Sequence, residues 1–218
     1  MMLIYLIGFP LLLHLTECEV HSGRIVNGTE TTIRLFPYMV SVRLIPEAHI
    51  CGGTILSPSF VLTAASCFLQ LQSIPALFVI SAGIDDISTG NSSFQQTRNI
   101  TQIIVHPNYT ATPSYENNLA LIQLGFPLIF DNSFVSNAEM STLTSFNGLE
   151  LFTLGWGLTN RVNQSGTVNK LQFTTVYEST ACNFSQSASQ NTQFCASGKN
   201  MLYNVCFNMQ NLLKQSVL

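Results

Sequence analysis

Few side chains in this chain could carry acid, base or nucleophilic chemistry. The 218 residues include four histidines and eleven Asp plus Glu. Hydrolysis by a serine nucleophile needs an imidazole to take the hydroxyl proton, a carboxylate to orient that imidazole, and backbone donors for the oxyanion. The acids Asp85, Asp86 and Glu116 lie in polar segments typical of solvated loops, so His49 and His106 are the candidate bases. Any such chemistry depends on where the fold brings these groups together.

A series of short motifs indicates which fold that is. The segment Thr63-Ala64-Ala65-Ser66-Cys67 resembles the histidine motif of the trypsin-like serine proteases (peptidase S1), with serine where the family has histidine. Further segments resemble other motifs of that family and follow in the family's order: Arg24-Ile25-Val26-Asn27-Gly28, Cys51-Gly52-Gly53-Thr54-Ile55-Leu56, Asn117-Asn118-Leu119-Ala120-Leu121-Ile122, Gly155-Trp156-Gly157 and Phe194-Cys195-Ala196. The chain is therefore similar to this family over residues 24 to 196.

The resemblance implies that all three catalytic positions hold other residue types. Ser66 stands at the imidazole position, where a hydroxyl cannot serve as a base at pH 7. Asn118 stands at the carboxylate position, and a count along the family's pattern places Gln210 at the nucleophile position. His49 and His106 match positions where the family often has histidines without a catalytic role. We therefore expect that the chain does not hydrolyse peptides.

The resemblance also bears on regulation and specificity. Arg24-Ile25 resembles the activation cleavage site, which in the family frees an ammonium that pairs with a buried aspartate. Here Met209 replaces that aspartate and Asn208 replaces the oxyanion-loop glycine. Asn204 stands at the base of the specificity pocket, so the anionic group that would hold Lys or Arg is missing. We expect cleavage at Arg24 to produce no activity.

Six cysteines suit an oxidising compartment, although by themselves they allow 15 connectivities. The resemblance implies two disulfides, Cys51 with Cys67 and Cys182 with Cys195. Cys206 is then left unpaired, while Cys18 leaves with the signal or propeptide or, if retained, ties that segment to the body. Cysteines and histidines do not occur in closely spaced pairs, so we expect neither a metal nor a cofactor.

The N-terminus predicts secretion. The apolar run Met2–Leu13 is too short to span a bilayer and is typical of a signal peptide, with a buried strand or helix as the alternative. Six Asn-x-Ser/Thr sequons are glycosylation candidates, about half of which could occur by chance: Asn27, Asn91, Asn99, Asn108, Asn163 and Asn183. We expect a secreted, extracellular glycoprotein with no membrane attachment once the signal is removed.

The composition argues against a nucleic-acid partner. Only 9% of residues are charged and the net charge is -3. The eight Lys plus Arg are spread singly along the chain and form no basic stripe that could displace counterions from phosphates. The family resemblance instead implies protein partners, namely active proteases, their inhibitors or their substrates.

Short apolar stretches separated by Gly, Pro, Asn and Ser predict an all-β fold. The stretches are Met39-Val40-Ser41-Val42, Phe60-Val61-Leu62, Leu77-Phe78-Val79-Ile80, Ile103-Ile104-Val105 and Leu119-Ala120-Leu121-Ile122. The resemblance implies two packed antiparallel β-barrels of trypsin-like type, joined near residues 125 to 145, with the second barrel incomplete. We expect a signal peptide at 1–18, a short propeptide at 19–24 and a protease-like domain at 25–218, truncated after about residue 206.

Three functions are compatible with these features. The first is a secreted, catalytically inactive protease homologue that binds or regulates active proteases, their inhibitors or their substrates. The second is an ordinary trypsin-like endopeptidase, as family membership alone would suggest. The third is a truncated or misspliced product without function. Ser66 and Asn118 lie well inside the matching region, so an altered C-terminus would not account for them.

Overall fold

The computed structural model describes residues 28–46, 48–68, 71–88, 92–111, 115–143, 146–156, 170–178, 193–197 and 204–208. Within these ranges the regular structure is eleven β-strands and three short 3₁₀ helices. The strands are β1 (Thr29–Glu30), β2 (Met39–Leu44), β3 (Ala48–Ser57), β4 (Phe60–Thr63), β5 (Phe78–Ala82), β6 (Gln96–Val105), β7 (Ala120–Leu124), β8 (Leu151–Gly155), β9 (Gln172–Glu178), β10 (Gln193–Ser197) and β11 (Asn204–Asn208). The all-β prediction is confirmed.

Six strands close into a barrel in the order β2-β3-β4-β7-β6-β5, with every neighbouring pair antiparallel. Strand β7 shows why the sequence closes this way, since Ala120, Ile122 and Leu124 are buried and alternate with partly exposed residues. This period of two directs one face into the barrel. Irregular pairing in β2, β3 and β6 bends those strands, as barrel closure requires.

The second sheet has the order β1-β9-β10-β11, with β8 also pairing with β9. In the part of the chain that the structure describes, this sheet is open. The connection from the barrel runs from the end of β7 at Leu124 to the start of β8 at Leu151, which confirms the predicted position of the crossover. The observed architecture, a closed barrel followed by a second sheet, agrees with the predicted trypsin-like fold.

Two apolar cores flank strand β2. Val40 and Val42 pack inside the barrel, whereas Met39 packs on the other side with Ile33, Trp156 and other residues of the second core. Both faces of β2 are therefore covered, and its residues from Met39 to Arg43 are buried. The shared strand holds the two halves of the fold together. None of the described helices is long and apolar enough to cross a membrane.

Candidate active-site region

Ser66 lies on a short 3₁₀ helix, Ala65–Phe68, directly after β4. Two of its residues pack into the barrel core, namely Ala65 and the fully buried Phe68. Phe68 meets Phe78 edge to face, with ring centroids 5.2 Å apart. Ser66 itself is only partly buried. The core therefore sets the position of a polar residue at the rim of the barrel.

A disulfide between Cys51 and Cys67 ties this helix to β3, with the Cα atoms 6.1 Å apart. The pairing is the one that the family resemblance implied, and the structure confirms it. Close by, the Thr63 hydroxyl donates a hydrogen bond to the Gly52 carbonyl oxygen at 2.8 Å. The backbone leading into Ser66 is thus fixed to β3 by both a covalent and a hydrogen bond.

Asn118 comes from the loop before β7 and is buried, with 6% of its surface exposed. It makes two hydrogen bonds with Ser66. The Ser66 backbone N–H donates to Asn118 Oδ1 at 2.8 Å, and Asn118 Nδ2 donates to Ser66 Oγ at 3.0 Å. The two residues are 52 positions apart in the chain. The structure therefore brings together two of the three residues that the family resemblance assigned to catalytic positions.

This pair has no group that can take a proton at neutral pH. A carboxamide carries two N–H donors and one carbonyl acceptor, and both kinds of group are engaged with Ser66. The group next to the Ser66 hydroxyl is the Asn118 N–H, which donates a hydrogen bond to it and cannot act as a base. The arrangement, called the clasp below, joins the 3₁₀ helix to the loop before β7, and neither side chain in it can act as a base toward a nucleophile.

His49, the first candidate base, lies on β3 beside the second core. Its Nδ1 is 2.8 Å from the Ser41 hydroxyl, and its ring meets Trp156 edge to face, with centroids 5.7 Å apart. Burial, and after it the positive charge of Arg43, lowers the pKa of His49 to about 4. The imidazole is therefore neutral at pH 7. Ser41 is fully buried, so its hydroxyl cannot meet a substrate, and the partly buried imidazole is engaged with it.

His106, the second candidate base, belongs to a turn after β6. Its Nδ1 accepts a hydrogen bond from the backbone N–H of Asn108 at 3.2 Å, and its backbone N–H donates to the Leu119 carbonyl at 2.9 Å. These bonds give His106 a local role in shaping the loop next to Asn118. The structure assigns structural partners to both histidines.

Asp85 is exposed and lies in a loop, as predicted, but it also makes long-range contacts that the sequence did not predict. Its carboxylate accepts a hydrogen bond from the Ile33 backbone N–H, and its carbonyl accepts one from Trp156 Nε1 at 2.9 Å and another from the Leu171 N–H at 2.8 Å. Asp85 thus links the two halves of the fold, although the residue is exposed. Ile33 is the first residue of a short 3₁₀ helix and lies 52 positions from Asp85, so the sequence carries no local signal for this contact.

The remaining predicted sites divide into described and undescribed positions. Asn99 on β6 and Asn108 are both exposed, so neither sequon is hidden. Asn204 begins β11, and the Cys195 and Cys206 backbones lie opposite each other in the second sheet. Other predicted positions lie outside the described residues: Cys18, Arg24, Ile25, Asn27, Asn91, Asn163, Cys182, Asn183 and Gln210.

Asn118→Ala tests the clasp. We expect it to lower the free energy of unfolding by about 1–3 kcal/mol, because the partly buried Ser66 N–H loses its acceptor and the Ser66 hydroxyl loses its donor. Ser66→Ala is the matched control and should cost less, about 1 kcal/mol, since it keeps the backbone bond and leaves only one N–H of Asn118 without its acceptor. Urea unfolding of both single variants and the double variant measures the coupling. Equal losses from the two single substitutions would contradict the hydrogen-bond account.

A closed barrel, a second sheet and a disulfide-anchored loop beside Asn118 define a protein of the trypsin-like class. The family model described as Trypsin matches residues 25–207, so the chain belongs to the trypsin family. It is 30% identical over 159 residues to Trypsin zeta of Drosophila erecta, covering 70% of this chain and 55% of that protein. It is 33% identical over 156 residues to Trypsin alpha of Drosophila melanogaster, covering 71% and 57%.

A longer relative matches in the same way. Serine protease filzig of Drosophila melanogaster is 32% identical over 151 residues, which cover 65% of this chain and 9% of that protein. The chain spans about half the length of the trypsins it matches. Family membership and fold are therefore established.

Proposed function

We propose that this chain is a secreted, catalytically inactive member of the trypsin family that acts by binding proteins, namely active proteases, their inhibitors or their substrates. The observation that carries the proposal is the mutual hydrogen bonding of Ser66 and Asn118. These residues stand where the family resemblance calls for a histidine and an aspartate. The clasp keeps the loops in place without supplying a base.

The size of the catalytic deficit follows from the chemistry. In a serine protease with an intact histidine, changing the triad aspartate to asparagine lowers turnover by about 10⁴, because the imidazole is then held in the wrong tautomer. Here no imidazole is present for Asn118 to orient, so the two losses overlap rather than add. Gln210 at the nucleophile position would remove the acyl acceptor as well. Each change alone is sufficient to suppress hydrolysis.

Replacement of the missing base by His49 or His106 is disfavoured by their surroundings. A base with a pKa of about 4, packed against Trp156 and hydrogen-bonded to a buried hydroxyl, does not accept a proton efficiently at pH 7. His106 is engaged with the backbone of its own turn. Asp85, which is near the interface of the two halves, is committed to backbone donors.

Secretion is supported by the apolar N-terminal run, the sequons and the Cys51–Cys67 disulfide. Disulfides persist mainly in oxidising compartments such as the secretory pathway and the cell exterior. Two of the sequons, at Asn99 and Asn108, lie at exposed positions where a glycan could be attached. A stable, extracellular protease fold without catalysis is suited to act as a decoy or regulator of active family members.

The experiment uses the full chain expressed in a secretory host and collected from the medium. After limited digestion with immobilised trypsin, we expect N-terminal sequencing to begin at Ile25, with no peptide ester hydrolysis above background and no labelling by a fluorophosphonate probe of activated serines. Ser66→Ala is the matched variant for the probe. The same material, cleaved and uncleaved, is then tested for binding to an active trypsin and to a protein inhibitor of trypsin.

The outcomes separate the three functions. Binding without turnover supports the inactive homologue. Turnover that appears on cleavage and survives removal of the added trypsin would overturn it and establish a trypsin-like endopeptidase. A chain that is retained in the cell, or that neither turns over nor binds, would favour a truncated or misspliced product without function.

A further inference from the structure

One glycosylation sequon lies on the outer wall of the barrel. Its first and third residues, Asn99 and Thr101 on β6, are exposed, whereas Ile100 between them is buried in the barrel core. Because side chains alternate along a strand, the two polar side chains are on the solvent side of the barrel. They are the two residues of the Asn-x-Thr pattern that marks an asparagine for glycosylation. The folded barrel therefore leaves Asn99 accessible.

The surface beside Asn99 is open because one of its two cross-strand neighbours has no side chain. Val79 on β5 pairs with Asn99 on one side. On the other side, the N–H of Gly125 donates a hydrogen bond to the Asn99 carbonyl oxygen at 2.9 Å. A Cβ added to Gly125 would lie 3.3 Å from Thr101 Cγ2 and 3.6 Å from the Asn99 carbonyl oxygen. A side chain at position 125 would therefore fill the space next to the sequon, and glycine leaves it free.

Two large apolar side chains are exposed on the segment that follows β7. Phe126 is 74% exposed and Ile129 is 71% exposed, the highest values among the large apolar residues that the structure describes. This segment is bound to β6 itself. Arg98 Nε donates to the Pro127 carbonyl at 3.0 Å, and the Gln96 carboxamide both donates to and accepts from the Ile129 backbone. Phe126 and Ile129, called the apolar pair below, are therefore held against the strand that carries the sequon.

We propose that Asn99 carries an N-linked glycan whose first N-acetylglucosamine covers Phe126. The proposal rests on the secretion that forms part of the proposed function, since sequons are modified in chains that enter the secretory pathway. The oligosaccharide comes from a lipid pyrophosphate donor. The bond between Asn99 Nδ2 and the sugar C1 forms, the bond between C1 and the pyrophosphate oxygen breaks, and the lipid pyrophosphate and an amide proton are released.

The sugar and the ring are chemically complementary. N-acetylglucosamine has C–H groups and a methyl group that pack on a phenyl ring while its hydroxyls stay in water. Covering the ring removes apolar surface from water, which is favourable and non-directional. The sugar is tethered next to Phe126, so its effective concentration there is high. A partner protein that approached this surface would meet the glycan first.

Asn108 is the other sequon asparagine among the described residues, and it provides the matched control. It is exposed, and its carbonyl accepts a hydrogen bond from Asn117 Nδ2 at 2.9 Å. It follows the last residue of β6, at the opposite end of that strand from the residues that bind the apolar pair. The aromatic residue next to it, Tyr109, is partly buried against the barrel core. Loss of a glycan at Asn108 should therefore leave the apolar pair covered.

Mass spectrometry of the full chain from a secretory host tests the modification. Secreted and cell-associated chains are both collected, so that a chain retained after entering the pathway still reports on Asn99. Enzymatic release of N-glycans converts each glycosylated asparagine to aspartate, and tandem mass spectrometry locates the change. We expect aspartate at position 99. An unmodified Asn99 in a chain modified elsewhere would overturn this inference and leave secretion standing, whereas a chain without a glycan at any sequon would overturn both.

Binding of the apolar dye anilinonaphthalene sulfonate tests the cover. Release of glycans from the folded wild-type chain should raise the dye fluorescence, because Phe126 becomes accessible. The rise should persist in Asn108→Gln and be lost in Asn99→Gln, which lacks this glycan from the start. Phe126→Ser should also lose the rise while Asn99 stays glycosylated. This comparison needs no unglycosylated variant to fold, and an equal rise in wild type and Phe126→Ser would overturn the contact.

Discussion

Gly83→Ala is expected to lower the free energy of unfolding by about 2–5 kcal/mol, the largest effect that we predict for a single substitution. Gly83 follows β5 and has a φ of 71°, in the left-handed region that L side chains rarely adopt. A Cβ placed there would lie 2.4 Å from the Phe94 carbonyl oxygen and 3.2 Å from Val135 Cγ2. The backbone oxygen cannot rotate away as a side chain could.

Gly148→Ala is the matched control, because Gly148 has a φ of 76° but a Cβ added to it would have no atom within 4 Å. It should show only the conformational cost, about 1–2 kcal/mol. The difference between the two variants in urea unfolding isolates the clash with the Phe94 segment, worth about 1–3 kcal/mol. Equal destabilisation of the two variants would mean that backbone strain alone accounts for Gly83.

The second large effect is a loss of stability on acidification. His49 has a folded-state pKa of about 4, lowered from 6.5 by burial and by Arg43. Because the folded-state pKa is the lower one, the unfolded chain binds a proton first as the pH falls below 6.5, and the free energy of unfolding decreases down to about pH 4. The full loss amounts to about 3 kcal/mol at the acid end of this window, and no loss remains at neutral pH and above.

Urea unfolding from pH 7.5 to pH 4 measures this dependence, with His49→Gln as the control. Glutamine does not titrate and can still hydrogen-bond the Ser41 hydroxyl, so the slope between pH 6.5 and 4 should flatten. Backbone N–H groups, Phe134 first, lower the pKa of the exposed Asp131 carboxyl. Its stabilisation is lost only below the ordinary range of aspartate, outside the His49 window. An unchanged slope in His49→Gln would rule out His49 as the cause.

Local sequence patterns determined much of the fold. The alternation in Ala120–Leu124 and the apolar run from Met39 marked β7 and β2, because the side-chain period of a strand can be read within five or six residues. The Cys51–Cys67 bond and the family followed from motif order. Strand β6 begins at Gln96, whereas the sequence predicted a strand only from Ile103. The pattern missed the first part of the strand because most of the residues there are polar. Periodicity of apolar residues cannot detect the polar half of such a strand.

Only the tertiary structure decided the contacts between residues far apart in the chain. The sequence alone could single out Ser66 and Asn118, but it could not show that they are hydrogen-bonded to each other although 52 positions separate them. It could not reveal that Asp85 accepts hydrogen bonds from Ile33 and Trp156. Nor could it show that Cys195 lies opposite Cys206 in the backbone register, since register depends on how whole strands pair. The low pKa of His49 likewise arises from burial against the second core. Residue type fixes what chemistry is available, whereas packing decides which groups meet and in which charge state.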